Sequence, residues 1–539
     1  MTTIKYIIMT FLIILAVIIV VVAIWLGLAY KNSVTPPKNF IVQNDLEVTL
    51  YKDSTAEYLS CGKSTLRKNS YGLWELYVCG NAEERGTAMG KLLKNLLYYQ
   101  ESAFVSEIEK FIRSKKYLSF LRIPVFILNR NAIDNIPEEY LKEIYGISFS
   151  CSKDFNWIAP SYLRQVNYHA AHDLGHLLQK YHLVGCTAFG VWGNNTADGK
   201  MLFGRNFDFY VGDAFARNKI IAFYAPGDGY KFASVTWAGM VGVLSGMNEK
   251  GLCITLNAAG GKISLKTATP VSIMAREILQ YASNIEEAVE IAHKRKIFVS
   301  ENFTIGSAID GRTVVIEKTP KDIAVYEGSG SATLVTNHFQ RLQNKDASSD
   351  SKYRYEVLEQ LLNDGSSNGG AKLDVADIAA ILRNHRGKNG KNIGLCNEYA
   401  INQSICHHSV IFKPQELLMW ISTEPYQNGE YICYDLKRIF DNPDFSHPLN
   451  IVESTIPADE DFILVNYPNI VKYRMASAVI QKAIREKQAV SEDILETLLF
   501  FNPCYYGTHE LLAKYWTAQN DPVKAKIFSD LANKKLAAQ

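Results

Sequence analysis

At Cys186 the hydrophobic pattern of the chain changes, and that change narrows the folds open to it. Up to Gly185 apolar residues recur mainly at helical spacing, as in NAEERGTAMGKLLKNLLYYQ, IPEEYLKEIYGISFSC and SYLRQVNYHAAHDLGHLLQKYH. From Cys186 onward short, alternating, β-branched and aromatic runs are separated by turn signals. CTAFGVWG, a turn at NNTADG and KMLFGRNFDF predict a hairpin. KIIAFYA with YKFASVTW, and VGVLSGMN with LCITLNAAGG, predict two more, which together read as an antiparallel meander. TPVSIMAREILQYA then predicts a helix with Thr269 as N-cap and Pro270 at its first position, and SNIEEAVEIAHKRK predicts another. Strands return at NFTIGSAI, TVVIEKTP, DIAVYEG and ATLVTN. Strands, helices and strands again predict an α+β fold, an αββα sandwich with sheets packed between helical layers.

The flanks set the expected boundaries. Residues 1–31 contain an uncharged apolar run from Tyr6 to Tyr30, bordered by Lys5 and Lys31, long enough to cross a bilayer and closed by interfacial Trp25 and Tyr30. A retained single-pass anchor is expected there, with the following domain on the exported side. Residues 32–185 read as a Pro-containing linker, one strand at YGLWELYVCG and a mostly helical pro-region; residues 186–455 read as the core. Within the core NDGSSNGGAK reads as a flexible connector, and HHSVIFKPQELLMWISTEP as two closing strands. Residues 456–539 read as a helical extension, whose last two helices resemble a tetratricopeptide pair and offer a surface for protein contact.

Lys+Arg 57 against Asp+Glu 55 leaves a formal charge of +2, with no long run of one sign, so nucleic acid is not an expected partner. The nine cysteines include no CxxC pair, which argues against a zinc ribbon or a disulfide framework. One cysteine stands apart. Gly185-Cys186 lies at the junction of the helical half and the first hairpin, where the Cys186 thiol can attack the Gly185 carbonyl. Hydrolysis of the resulting thioester frees the Cys186 α-amine, whose reference pKa of about 7.7–8.0 suits it to take the thiol proton. Read alone, the same cysteine is an ordinary small strand residue.

The segment GCTAFGVWGNNTADGKMLFGRNFDF, followed by GMNEKGLCITLNAAGG and LVTNHF, resembles the N-terminal-nucleophile hydrolases of the penicillin acyltransferase-like family, peptidase family C45. Bile-salt (choloylglycine) hydrolases and acid ceramidase are its relatives. EERGTAMGKLL resembles the family's pro-region motif and INQSICHHSVIFKP its closing strands, so the likeness covers most of residues 70 to 425. It implies that Cys186 begins the mature chain, that Asp208 holds its amine and that Arg205 lies beside the thiol. It further implies that Asn257 and Asn337 flank the oxyanion, and that Arg354 matches a later family arginine. A cationic neighbour favours thiolate, in keeping with the role of Arg205. Residues three apart on a regular strand point to opposite faces, so Arg205 and Asp208 call for a bulge near Asn206-Phe207. Other readings of these residues are a strand-edge ion pair for Arg205 and Asp208, and a turn residue for Asn257.

The resemblance implies hydrolysis of a linear N-acyl amide through an acyl-thioester on Cys186, without cofactor or metal. A small N-acyl amide, of lipid-like kind if the chain is anchored, is the expected substrate. An acyltransferase using the same acyl-enzyme and a non-catalytic tethered binding protein are the alternatives. A metal-dependent hydrolase would need His169, His172 and His176, or Cys406, His407 and His408. The first set lacks the glutamate of HExxH, and the second places neighbouring strand residues on opposite faces.

Overall fold

Strands that are apolar on both faces need cover on both, and the runs Thr187–Val191 and Leu202–Asp208 are buried at every residue. A computed structural model describes residues 2–53, 57–112, 114–129, 132–175, 184–261, 268–342, 348–367 and 372–539. The chain begins with helix α1 (Thr2–Ser33), then strands β1 (Val48–Lys52), β2 (Glu57–Cys61), β3 (Ser64–Lys68) and β4 (Trp74–Gly80). Helices α2 (Ala82–Leu92), α3 (Lys94–Phe111), α4 (Lys115–Asn129), α5 (Glu138–Ser148) and α6 (Ser161–Gly175) follow. Past the junction come β5 (Thr187–Val191), β6 (Leu202–Asp208), α7 (Asp213–Ala216), β7 (Ile220–Pro226), β8 (Phe232–Thr236), β9 (Ser245–Asn248) and β10 (Leu252–Ala258). Next are α8 (Val271–Tyr281), α9 (Ile285–Lys294), β11 (Glu301–Ser307), β12 (Arg312–Lys318), β13 (Ile323–Tyr326) and β14 (Ala332–Val335). The chain closes with α10 (Ser349–Ser367), α11 (Val375–Leu382), β15 (Cys406–Lys413), β16 (Leu418–Ser422), β17 (Tyr431–Asp435), α12 (Leu436–Asp441), β18 (Asn450–Ile456), α13 (Tyr467–Glu486), α14 (Glu492–Phe501), α15 (Tyr506–Ala518) and α16 (Pro522–Ala537).

Two sheets result, ordered β1-β2-β3-β4-β7-β8-β9-β10-β11-β12-β13 and β14-β5-β6-β15-β16-β17-β18. Phe203, Val410, Phe412 and Ile421 of the smaller sheet pack against Phe223, Val235 and Met247 of the larger one. Outside the larger sheet, α2, α5 and α8 cover Leu76, Ile254 and Ile305. Outside the smaller sheet, Val357 of α10 and Ile378 of α11 cover Phe189, Ile411 and Tyr431. The layers are therefore helix, sheet, sheet, helix.

Several expectations change. The three hairpins form, but they do not make one meander: β5–β6 lies in the smaller sheet and β7 to β10 in the larger. Residues 32–185 hold more strand than expected, because β1, β2 and β3 join β4 in antiparallel ladders, and β4 runs parallel to β7 from Trp74↔Ile220 to Gly80↔Pro226. The two closing strands form as β15 and β16, and β17 and β18 extend the smaller sheet beyond them. The segment Asn363–Ser367 of the expected connector continues α10; residues 368–371 lie outside the described residues. Helix α8 starts one residue late, with Pro270 in the cap position, while the Thr269 hydroxyl donates to Asn135 O at 2.9 Å.

In α1, Met9–Ser33 is long and apolar enough to cross a membrane, and none of its most apolar stretch is buried by the rest of the protein. At the other end, Ile480, Leu498, Leu512 and Tyr515 give α13 to α16 a small core of their own.

The helices before the Gly185–Cys186 junction are tied to those after it. Arg85 Nε and Arg276 Nη2 both donate to Glu143 Oε1, at 2.6 and 3.2 Å, joining α2, α5 and α8 through buried side chains. Helices α2 and α5 touch backbone to backbone: a Cβ on Gly86 would lie 2.4 Å from Glu143 O, and one on Gly146 would lie 2.7 Å from Gly86 C. Gly86→Ala should therefore push α5 away and lower stability by about 1–3 kcal/mol, the usual cost of overpacking. Denaturant midpoints of variant and wild type check this, and an unchanged midpoint would mean that the two helices tolerate the separation.

Candidate active site

Gly185 and Cys186 form the short bridge into β5, and both are held by the main chain of β6: Gly185 N donates to Asp208 O at 3.1 Å, and the Cys186 thiol faces the same oxygen at 3.9 Å. The Gly185 carbonyl accepts from Gln403 Nε2 at 2.6 Å and from Arg354 Nη1 at 3.4 Å. A Cβ at this position would lie 2.7 Å from that same Gln403 Nε2, so a larger residue would displace the amide from the carbonyl. Two donors thus converge on the carbonyl next to a thiol, an arrangement suited to an oxygen that gains negative charge.

Arg205 and Asp208 approach Cys186 from opposite faces of β6. Arg205 lies between the sheets, where Nη2 donates to Cys186 Sγ at 3.7 Å and to Leu256 O, and Nη1 donates to Ser245 Oγ. Its guanidinium stacks 4.4 Å from the Phe207 ring. Asp208 sits on the other face, as Asn206 does, whose Nδ2 donates to Leu382 O and Ile401 O. β6 itself pairs regularly with β5, and the expected irregularity falls on the facing strand, where His407 is the extra residue between the pairs Cys406↔Asp208 and His408↔Phe207.

Burial governs the electrostatics. It pushes the Cys186 thiol up to about 11; Arg205 opposes this and the Asp208 charge adds to it. It also raises the Asp208 carboxyl from 3.8 to about 8, against the pull of Arg354, Arg205 and the Cys406 thiol. Gln403 Nε2 meets Asp208 Oδ2 at 3.5 Å, while Oδ1 has no hydrogen-bond partner among the described residues.

Arg354 is the anchor of the site. Nη1 also donates to Cys186 O at 2.8 Å, Nη2 to Asn337 Oδ1 at 2.9 Å, and Nε to Glu398 O at 3.1 Å. The Asn337 amide is committed in turn, since Nδ2 donates to Ala258 O at 2.8 Å. Asn257, beside Leu256 at the end of β10, is freer: Nδ2 reaches only Thr336 O at 3.4 Å and Oδ1 is unpartnered among the described residues. Cys186, Arg205, Asp208, Arg354 and Asn337 are thus joined by direct or one-residue links, with Asn257 one residue from Arg205's contact.

Residues that the sequence reading left without a role also belong here. Gln403 lay within the quoted motif INQSICHHSVIFKP, and Ser245 had no signal. His408 and His407 form a hydrogen-bonded chain beside Arg205: His408 Nε2 faces Arg205 Nη1 at 3.3 Å and Ser245 Oγ at 2.8 Å, and the two Nδ1 atoms are 3.0 Å apart. A guanidinium can only donate, so His408 Nε2 accepts and its proton sits on Nδ1, directed to His407. Burial holds His407 down to about 3 and His408 well below 6.5, so both rings are neutral. His169 is satisfied as well, accepting from Val241 N at 2.8 Å and bonding Gln165 O at 2.7 Å. The His172 side chain and His176 lie outside what is described. Between α3, α6 and the loop after β8 a cavity of about 40 Å³ is walled by Phe104, Phe209, Phe215 and Trp237. Phe209 stacks on Phe207, which connects this wall to Arg205.

Residues 194–424 match the family described as acyl-coenzyme A:6-aminopenicillanic acid acyl-transferase. An uncharacterized protein of Archaeoglobus fulgidus is 25% identical over 209 residues, 34% of this chain and 35% of that one. Acid ceramidase of Heterocephalus glaber is 29% identical over 128 residues, 21% of this chain and 32% of that one. The chain thus spans about a third of the length of these two curated relatives. The structure of a Caenorhabditis elegans N-acylethanolamine-hydrolyzing acid amidase ortholog aligns with a TM-score of 0.33 and 16% identity, covering 43% of this chain and 93% of that one.

A carboxyl raised by burial is neutral in the fold and ionised when unfolded between pH 3.8 and about 8, so the unfolded state binds fewer protons there. Its contribution to stability is therefore full below pH 3.8 and is lost as pH rises toward 8. In a Cys186→Ala background, Asp208→Asn should flatten that decline. Denaturant titrations at several pH values check the difference between the two proteins, and parallel curves would refute it.

Proposed function

From a chain whose residues 194–424 match the penicillin acyltransferase-like family, we propose a thiol N-terminal-nucleophile amide hydrolase, cut between Gly185 and Cys186. The observation that carries this reading is the Gly185 carbonyl held at 2.6 Å by Gln403 and 3.4 Å by Arg354, with the Cys186 thiol beside Arg205.

In processing, the Cys186 sulfur adds to the Gly185 carbonyl carbon and the thiol proton passes to the Cys186 nitrogen, the leaving group. The oxyanion forms on the oxygen already bonded by Gln403 and Arg354. Collapse breaks the C–N bond, the Cys186 nitrogen leaves as an amine with a proton, and Gly185 is left as a thioester on sulfur. Water cleaves it to the Gly185 carboxylate and the free thiol. The new amine takes the acceptor that Asp208 Oδ1 offers, and the resulting ammonium draws the carboxyl into its ionised form.

In the mature protein the α-amine takes the thiol proton and the thiolate, held by Arg205, attacks the N-acyl carbonyl. The protonated amine returns its proton to the leaving nitrogen, and water releases the acid from the acyl-thioester. An amine acceptor in place of water makes the same intermediate an acyltransferase. Of the two asparagines Asn257 suits the oxyanion donor, since the Asn337 amide is spent on Ala258 O at 2.8 Å and its oxygen on Arg354 at 2.9 Å. Asn337 then acts as the strut that aims Arg354. The aromatic walls near Arg205 favour an apolar acyl group, and α1 would hold the protein at a membrane with its core on the exported side.

Intact-mass and N-terminal analysis of the purified chain should give a fragment beginning at Cys186, absent from Cys186→Ala. Gln403→Ala should slow its appearance about 10²–10³-fold, the usual loss for one oxyanion donor. A folded wild type that stays whole would sink the reading. For the cut enzyme, hydrolysis of N-acyl amides should be unaffected by a chelator and abolished by thiol alkylation; the reverse pattern would favour a metal hydrolase.

A further inference from the structure

The segment 394–404 delivers two groups to the site, the Gln403 amide on Gly185 O and the Glu398 carbonyl on Arg354 Nε. It has little regular structure of its own, and both Cys396 and Ser404 sit at positive φ, 56° in each case, a conformation that L side chains seldom hold unaided. Within the matched residues the Asn402 main-chain N–H donates to Asn384 O at 2.8 Å and its side chain to Arg383 O at 3.1 Å. Further support comes from outside the matched residues, from α13 and the chain around the start of α15. Arg474 of α13 donates to Ser404 O at 2.6 Å, one residue beyond Gln403. The same guanidinium is fixed by Asp213 at 3.2 Å and by the Tyr426 hydroxyl, and it stacks 5.2 Å from the Tyr210 ring. Asn502 takes both main-chain groups of Leu395, accepting from its N–H at 2.9 Å and donating to its carbonyl at 2.8 Å. The Tyr505 hydroxyl donates to Glu398 Oε2 at 3.0 Å, and that of Tyr506 to Glu398 Oε1. Gly394, at φ +87°, lets the segment touch Tyr505, where a Cβ would lie 2.4 Å from the Tyr505 nitrogen.

We propose that the C-terminal helices are a clamp on segment 394–404, with Arg474 and Asn502 as positioning residues that hold Gln403 and Glu398 in register with the Gly185 carbonyl and Arg354. This rests on the processing reading above. The extension is then part of the machinery of the site, not an appended docking module. Each clamp residue bonds main chain or a carboxylate whose own backbone faces the site, so loss of one contact shifts the donors without emptying the core.

The test uses the full chain. Arg474→Ala and Asn502→Ala should each slow appearance of the Cys186 fragment at least tenfold, at a Tm within a few degrees of wild type. Arg474→Lys, which keeps a donor for Ser404 O, should restore most of the rate. Tyr506→Phe removes only one hydroxyl and serves if either alanine variant fails to fold; it should slow cleavage about threefold. Amide hydrogen exchange of residues 394–404 is the independent readout and should quicken in every slowed variant. Wild-type cleavage and unchanged exchange in the folded variants would overturn the clamp. A wild type that stays uncut would remove the processing reading alone; the exchange comparison would then decide the clamp, faster exchange in the variants supporting it and equal protection refuting it.

Discussion

A single buried cation organises the site. The Arg354 guanidinium is out of contact with solvent, and an ion there is tolerated only when its donors are met. It meets them with Gly185 O, Cys186 O and Thr187 Oγ1 from the entry to β5, Asn337 and Asp350 from the end of β14 and the start of α10, and Glu398 O from the segment before β15. Those partners span more than two hundred residues of sequence. Desolvation therefore acts as an assembly rule, since any of these segments that drifted away would leave a bare charge in the interior.

What could be read from the sequence follows the range of the interactions. The hairpins β5–β6, β7–β8 and β9–β10 were legible because alternation and turn residues are local signals, and Cys186, Arg205 and Asp208 sat on one of them. The division of those hairpins between two sheets was not, because strands buried on both faces carry no mark of which sheet they enter. β1 to β3 escaped notice as five-residue strands at the edge of the larger sheet, the outermost exposed throughout, so burial left no strong pattern there. The opposite approaches of Arg205 and Asp208 looked like a conflict in one dimension and are resolved in three, with one residue serving sulfur from between the sheets and the other reaching the junction from the helical side. Gln403 was invisible as a donor because its acceptor, Gly185 O, lies 218 positions away.

The resting site is electrically quiet. The thiol is protonated, the Asp208 carboxyl is held near 8, and both buried histidines are neutral, leaving Arg205 and Arg354 as its cations. Peptide cleavage at Gly185 would add an ammonium and then, once the thioester is hydrolysed, a carboxylate to this enclosure. Asp208 Oδ1, without a hydrogen-bond partner among the described residues, and the guanidinium of Arg354 beside Gly185 O give the new charges a receiving environment.

The parallel ladder from Trp74↔Ile220 to Gly80↔Pro226 couples residues on either side of the junction within one sheet. Once severed at Gly185, the molecule would be two polypeptides sharing a single core, each holding strands that the other must complete. Its folding would then change from a unimolecular to a bimolecular reaction. Unfolded halves would have to meet by diffusion and pair in the right register, so recovery would depend on concentration, and the rate of unfolding would set the working lifetime of the cut form.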